Sequence, residues 1–403
     1  MRSRAITGLG IVSTAGIGRE SFFRALESPA PFTGNGRVES FDATAYPGCR
    51  VAEVPDFDPA KYLGDKGLRT LDRLTKLLVV ATRLAMHDAG FKKDGLYVQS
   101  SADRVGICCS NAYGSLEAIT ELDRVATLED ARYINPAKFP NTVANSASGY
   151  ASIWEDLRAL NVAVSDGNCG ALDAVACADI FLETGRADAL LVGGAEAMSE
   201  ALYVGFSRLG ALEPKVKDVS TLSPRQRASR GAGALLGEGA ALLAVEPMEL
   251  AASRGRRRLA DLSGYGTAFL PPDHEGALIH PSPEAMERAL ADAIADAGLS
   301  PADVDVVASG VSGLGAFDRA ELAAIERVLG KDVAVAAPKA MLGESLGAGG
   351  AMAMAMGVAW LGGLAPGPLV RGTPGRRVRT VAVTSMGFYG NASAVVMQAP
   401  RET

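Results

Sequence analysis

The chain has 403 residues, 40 Lys+Arg against 46 Asp+Glu, a formal net charge of −6 and a sequence pI near 5.4. That length holds two or three domain-sized units, the 48% hydrophobic content excludes a disordered chain, and the acidic balance argues against a nucleic-acid binder. Cys49, Cys108, Cys109, Cys169 and Cys177 form no CxxC pair, and His87, His274 and His280 sit in no HExxH pattern, so no metal site, cofactor or disulfide framework is expected and a reducing cytoplasm fits.

Ala5–Val12 is apolar and interrupted by glycine, which suits a first strand rather than the apolar region of a signal peptide. Leu68–Ala89 carries helical periodicity. Strands are expected at Arg104–Cys109, Asn161–Ser165, Ala189–Gly193, Ala240–Val245, Leu259–Gly264, Val304–Ala308, Val333–Ala337 and Val378–Thr384. These runs are continuously apolar, as in strands buried on both faces. Glu213–Gly233, rich in charge with two prolines, is an expected exposed excursion. The cluster Arg254, Arg256, Arg257 and Arg258 suits either an acidic partner or a solvated turn. Pro283–Ala297 is an amphipathic helix closed by Gly298. Ser345–Val370 carries no charge and is long enough to span a bilayer. Its Gly/Ala content and its breaks at Pro366 and Pro368 favour a buried core helix, and no membrane association is expected.

Strands alternating with helices imply a mostly parallel α/β sheet. The two halves share a layout of strand, Gly-rich turn and Ala-rich helix. In the first half these are Ala163–Ser165, Gly167–Ala171 and Leu172–Thr184. In the second they are Val335–Ala337, Gly343–Gly350 and Ala351–Gly362. This suggests two copies of one α/β unit packed face to face, divided here as residues 1–248 and 249–403.

Several segments in order along nearly the whole chain carry a family resemblance: Ile6-Thr7-Gly8-Leu9-Gly10, Phe139-Pro140-Asn141-Thr142-Val143-Ala144-Asn145, Gly193-Gly194-Ala195-Glu196, Gly237-Glu238-Gly239-Ala240, Pro338-Lys339 and Gly387-Phe388. Together they resemble the β-ketoacyl synthases. The resemblance implies a thiolase-like fold, two similar α/β halves in a five-layered α-β-α-β-α arrangement. It also implies a decarboxylative Claisen condensation, which needs a cysteine at a helix N-terminus and two histidines. The helix dipole and backbone N–H groups favour a thiolate and an oxyanion there.

Carried onto this chain, those three positions hold other residues. Counting back without gaps from Gly193-Gly194-Ala195-Glu196 places Asn168 at the nucleophile position and Cys169 just after it. The first histidine position falls on Ser309, or on Gly310 in a register shifted by one. The second falls on Glu344, while Lys339 matches the family's lysine and offers Glu344 an ion-pair partner. None of the three histidines reaches either position. An amide is no nucleophile, so the condensing step has no machinery in this register.

The pattern is similar to the chain-length factor of type II polyketide synthases, the non-condensing partner of a ketosynthase. The resemblance implies a heterodimer with an active ketosynthase subunit, working on chains carried by an acyl carrier protein. The Phe139–Val143 segment looks more like polyene-type reducing systems than aromatic ones. Phe139, Asn141, Thr142 and Val143 are then interface positions. Leu116, Ile119 and Asp123 are tunnel or gate positions, or core residues, and Phe388 lines the entrance or packs in the core. The alternatives are a malonyl-carrier-protein decarboxylase using the Asn168 amide, an active condensing enzyme using Cys169, and an acyl-binding protein with no ketosynthase partner.

Overall fold

A computed structural model describes the chain except for residues 35–36, 213–222, 224–225, 227–229, 273–277 and 402–403. Most of the expected excursion at Glu213–Gly233, and His274, lie outside the described residues.

The strand Arg4–Ser13 is buried along its whole length. It pairs antiparallel with Gly239–Pro247, which pairs antiparallel with Ala189–Glu196. Next come Val105–Ser110 and the edge strand Asn161–Val164, joined in parallel. The second half repeats this order. Ala260–Phe269 pairs with Asn391–Gln398, then Thr380–Met386 follows antiparallel, then Val306–Ala308 and Ala334–Ala336 in parallel. Arg4–Ile6 pairs with Ala260–Leu262, so the two five-strand arrays join into one continuous sheet. An additional strand, Leu369–Arg371, covers the far edge of the second half.

Two helices fill the space between the arrays. Gly170–Glu183 and Gly349–Leu361 touch each other and strands of both halves. Every residue of Gly349–Leu361 is buried, which is why its sequence carries no charge. Among the described residues, no helix is long and apolar enough to cross a membrane. Arg73–Asp88 and Ser146–Glu155 cover the outside of the first array, and Pro283–Asp296 and Gly315–Leu329 the outside of the second. The result is the expected five-layered thiolase-like fold.

One packing device occurs in both halves. A Cβ on Gly10 would lie 1.9 Å from the Ala81 carbonyl, and one on Gly8 2.4 Å from the Ala89 nitrogen. In the second half, Cβ atoms on Gly264 and Gly266 would lie 2.2 Å from the Ala293 and Ala289 carbonyls. The glycines that interrupt each strand therefore let the outer helix sit directly on the sheet, backbone against backbone.

The sheet is mixed rather than mostly parallel as expected: only the outer strands of each half pair in parallel, while the strands through the middle are antiparallel. Two local expectations also change. Leu68–Ala89 is not one helix: a 3-10 turn at Leu68–Thr70 precedes extended residues, and the helix starts at Arg73. Asp72 sets that start by accepting the Thr75 N–H at 2.8 Å. The arginine cluster is neither a docking surface nor a solvated turn at Arg254. That side chain is buried, sits 4.0 Å from the Phe91 ring centre and donates to the Ala89 carbonyl at 2.6 Å. Arg256 donates to the Asp88 carbonyl at 2.8 Å. Together they cap the C-terminal end of Arg73–Asp88, where cations are favoured.

Candidate functional site

The strand Asn161–Val164 runs into a 3-10 turn, Gly167–Cys169, which opens the central helix Gly170–Glu183. Gly167 takes φ 52°, a left-handed conformation that glycine adopts without cost. Asn168 is 3% exposed. Its backbone carbonyl accepts the Ser385 hydroxyl at 2.7 Å, and its side-chain oxygen is buried without a protein partner. Cys169 is fully buried and its thiol donates to the Ser385 carbonyl at 3.3 Å. Burial, with Asp173 and Asp166 nearby, pushes that thiol well above the ordinary cysteine value. A thiol held protonated in the core is the opposite of an activated nucleophile.

The second half supplies the facing wall, where the Leu346–Ala348 turn and the end of Thr380–Met386 pack on the Asn168 turn. Ser309 is buried, and its hydroxyl donates to the Ala336 carbonyl at 2.7 Å. Gly310 gives its N–H to Glu321 at 2.7 Å, and a Cβ there would lie 2.9 Å from a Glu321 carboxylate oxygen. Lys339 and Glu344 form a buried ion pair at 2.8 Å. Glu344 also accepts the Leu346 N–H at 3.1 Å. Leu346 has φ 44°, a strained conformation for a branched residue. Glu344 therefore has a visible structural task, anchoring a strained turn and neutralising a buried lysine.

Three further carboxyls surround this pair, none assigned a role from sequence. Glu321 accepts the Thr384 hydroxyl at 2.6 Å, and burial pushes its carboxyl up to about 7. Glu196 accepts the Ala112 and Gly347 N–H groups at 2.8 and 3.2 Å, and burial likewise pushes it up to about 7. Asp318 accepts the Ser312 and Gly313 N–H groups at 3.0 and 2.8 Å and is raised by burial. Glu196 stands inside a motif visible in the sequence, Gly193-Gly194-Ala195-Glu196, whereas Glu321 does not. Their partners lie far along the chain, so only the fold reveals their contacts.

Phe388 stands over this region, edge-on to Phe317 with ring centres 5.3 Å apart and 6.1 Å from Phe206. Leu116, the first residue of the helix Leu116–Val125, packs in the same apolar cluster as Phe388 and Leu346. Ile119 is 38% exposed and Asp123 is exposed, so neither is a core residue of this chain. Burial, with Tyr389 and Glu196 nearby, pushes the Tyr113 hydroxyl up to about 12. His280 gives its backbone N–H to the Phe388 carbonyl at 2.9 Å, while its ring lies 3.2 Å from the Leu270 carbonyl. His87 is in the last turn of an outer helix. Neither stands at the Ser309 or Glu344 position.

The segment Pro136–Thr142 is a 3-10 helix. Phe139 is 65% exposed and Val143 is exposed, both apolar and facing outward. Thr142 donates to the Phe139 carbonyl at 2.8 Å. Asn141 instead turns inward, buried, with its amide donating to the Thr70 carbonyl at 3.0 Å. It positions the segment within its own chain.

The β-ketoacyl synthase N-terminal domain model matches residues 1–251, and the C-terminal domain model residues 259–362. The 3-oxoacyl-(acyl-carrier-protein) synthase 2 of Coxiella burnetii is 30% identical over 360 residues, 87% of this chain and 84% of that protein. Nodulation protein E of Rhizobium leguminosarum bv. trifolii is 29% identical over 358 residues, 88% of this chain and 84% of that protein. The solved structure of the ishigamide ketosynthase/chain length factor matches with a TM-score of 0.85 at 26% identity, covering 99% of this chain and 100% of that one. With its fold, its ordered motifs and these matches, the chain belongs to the β-ketoacyl synthase family.

Proposed function

We propose that this chain is the non-condensing, chain-length-factor subunit of a type II polyketide synthase. It pairs with an active ketosynthase and shapes the tunnel in which a chain delivered by an acyl carrier protein grows. The observation that carries this reading is the chemistry of three positions. Asn168 offers an amide, Ser309 a hydroxyl already donated to a backbone carbonyl, and Glu344 a carboxylate committed to Lys339. None of them forms a thioester or handles the protons of a decarboxylative condensation.

The surface supports a partner. Among the described residues, no strand pairs with the outer side of Asn161–Val164. Such an edge, without proline, bulge or charge to blunt it, is a template for a second chain. Ile153 and Ile180, on the helices either side of that strand, are exposed, as are Phe139 and Val143.

A competing reading follows the activity named for relatives such as the Coxiella burnetii synthase: a condensing enzyme acylated on Cys169. Intact-protein mass spectrometry after incubation with an acyl-carrier thioester separates the two. The proposal expects no acyl adduct on this chain and an adduct on an active ketosynthase treated alongside. An acyl group mapped to Cys169 would overturn it.

A further inference from the structure

A cleft of about 620 Å3 opens between the turn Leu68–Thr70, the first turns of the helices Arg73–Asp88 and Leu116–Val125, and the segment Pro136–Thr142. That is the size of a small-ligand site. Its charged lining is unbalanced: Asp65, Asp72, Glu117 and Glu121 stand against Arg69 and Lys138. Lys138 is already engaged, because its ammonium donates to both carboxylate oxygens of Glu121. Asp65, Asp72 and Glu117 are left with Arg69 in the cleft. Partial desolvation and the neighbouring Asp72 carboxylate raise Glu117 above its ordinary value, against the Arg73 N–H and Lys76. Asn141 lines the same cleft and is only 4% exposed. Its Nδ2 donates to the Thr70 carbonyl at 3.0 Å, whereas its Oδ1 is buried with no hydrogen-bond partner. A buried amide oxygen accepts a hydrogen bond in nearly every folded protein, and leaving it without a donor is costly. The cleft therefore lacks positive charge among its exposed carboxylates and an N–H donor at Asn141.

An ammonium group supplies both. The carboxylates do not converge on one point: among the described residues, no three ligating side chains gather as a metal ion requires. Leu71, Ala118 and Ala137 add apolar surface to the same lining, which suits methylenes between separate charges. We propose that the cleft binds a linear diamine or polyamine, with one ammonium donating to Asn141 Oδ1 and another held by Asp65 and Glu117. The paired Lys138 shows the chemistry on a tethered scale, an ammonium on a methylene stem seated against a carboxylate of this cleft. An occupant ties Pro136–Thr142, which carries the exposed Phe139, to the start of the helix Leu116–Val125. This binding stands apart from pairing with a ketosynthase, since every group it uses belongs to this chain.

The test is isothermal titration calorimetry of the full chain with 1,4-diaminobutane and with spermidine, at about 150 mM salt, where exposed charges more than ~8 Å apart are screened. The expected result is saturable binding of one molecule per chain. Asp65→Asn with Glu117→Gln, both exposed positions, should weaken it about tenfold, as the loss of two surface ion pairs does. Asn141→Ala, checked for folding by its thermal melt, should weaken it too; if that variant does not fold, the double variant decides alone. Glu20→Gln with Glu27→Gln, exposed around the helix Arg19–Leu26, should leave the affinity unchanged. Butylamine, with a single ammonium, should bind about tenfold more weakly than the diamine. No saturable heat, an unchanged affinity in the Asp65 and Glu117 double variant, or displacement of the diamine by an equal concentration of magnesium ion would overturn the proposal.

Discussion

Lys339 and Glu344 bury opposite charges in the turn that leads into the central helix Gly349–Leu361. Removing one partner of a buried pair leaves the other charge without compensation, which costs roughly 3 kcal/mol or more. Glu344→Gln should therefore lower the denaturation midpoint by an amount equivalent to about 3 kcal/mol, and Lys339→Met added to it should recover part of that loss. If Glu344→Gln leaves the midpoint unchanged, the carboxylate does not hold the turn. Glu321 gives a pH dependence. Its folded value stands near 7 against an ordinary 4.5 because burial penalises the charge. Its contribution is therefore fully present below pH 4.5 and lost as pH rises through about 7. Glu321→Gln should make the fall in stability across that window shallower in denaturant titrations, and an unchanged slope would refute the assignment. The Lys339–Glu344 pair was legible in the sequence because its members stand in one short motif. Glu321 was not, because Thr384 lies 63 residues away.

The repeat was legible as a layout of strand, turn and helix, since each buried strand and small-residue helix leaves a local signature. The packing of Gly8 and Gly10 on Ala81 and Ala89, repeated by Gly264 and Gly266 on Ala293 and Ala289, was not. Each contact joins elements whose spacing along the chain follows from topology. The strand Asn391–Gln398 has no clear sequence signature because it opens on Asn-Ala-Ser-Ala, small residues with little strand character. The helix Leu116–Val125 carries the element-scale prediction. Leu116 sits in the Phe388 cluster and Ile119 faces outward, three residues on and on the same side. In the proposed complex, Leu116→Ala with Ile119→Ala should lengthen the products read by mass spectrometry. An unchanged product distribution would remove both residues from the gate.

At the scale of the molecule, the two halves differ at their outer edges. Leu369–Arg371 covers the edge of the second array, while Asn161–Val164 leaves the edge of the first without a neighbouring strand among the described residues. That difference in an otherwise repeated architecture places the open edge beside the Asn168 turn and the helix Gly170–Glu183 that follows it. It is the surface on which the proposed partner would sit. In the proposed assembly this chain works only as the companion of an active ketosynthase. The most direct test is co-expression with a neighbouring gene product that retains Cys-His-His, followed by sizing and product analysis. The proposal predicts a one-to-one complex whose product chain is absent when either chain is omitted. A stable homodimer of this chain that ignores the ketosynthase, or products formed without it, would contradict the claim.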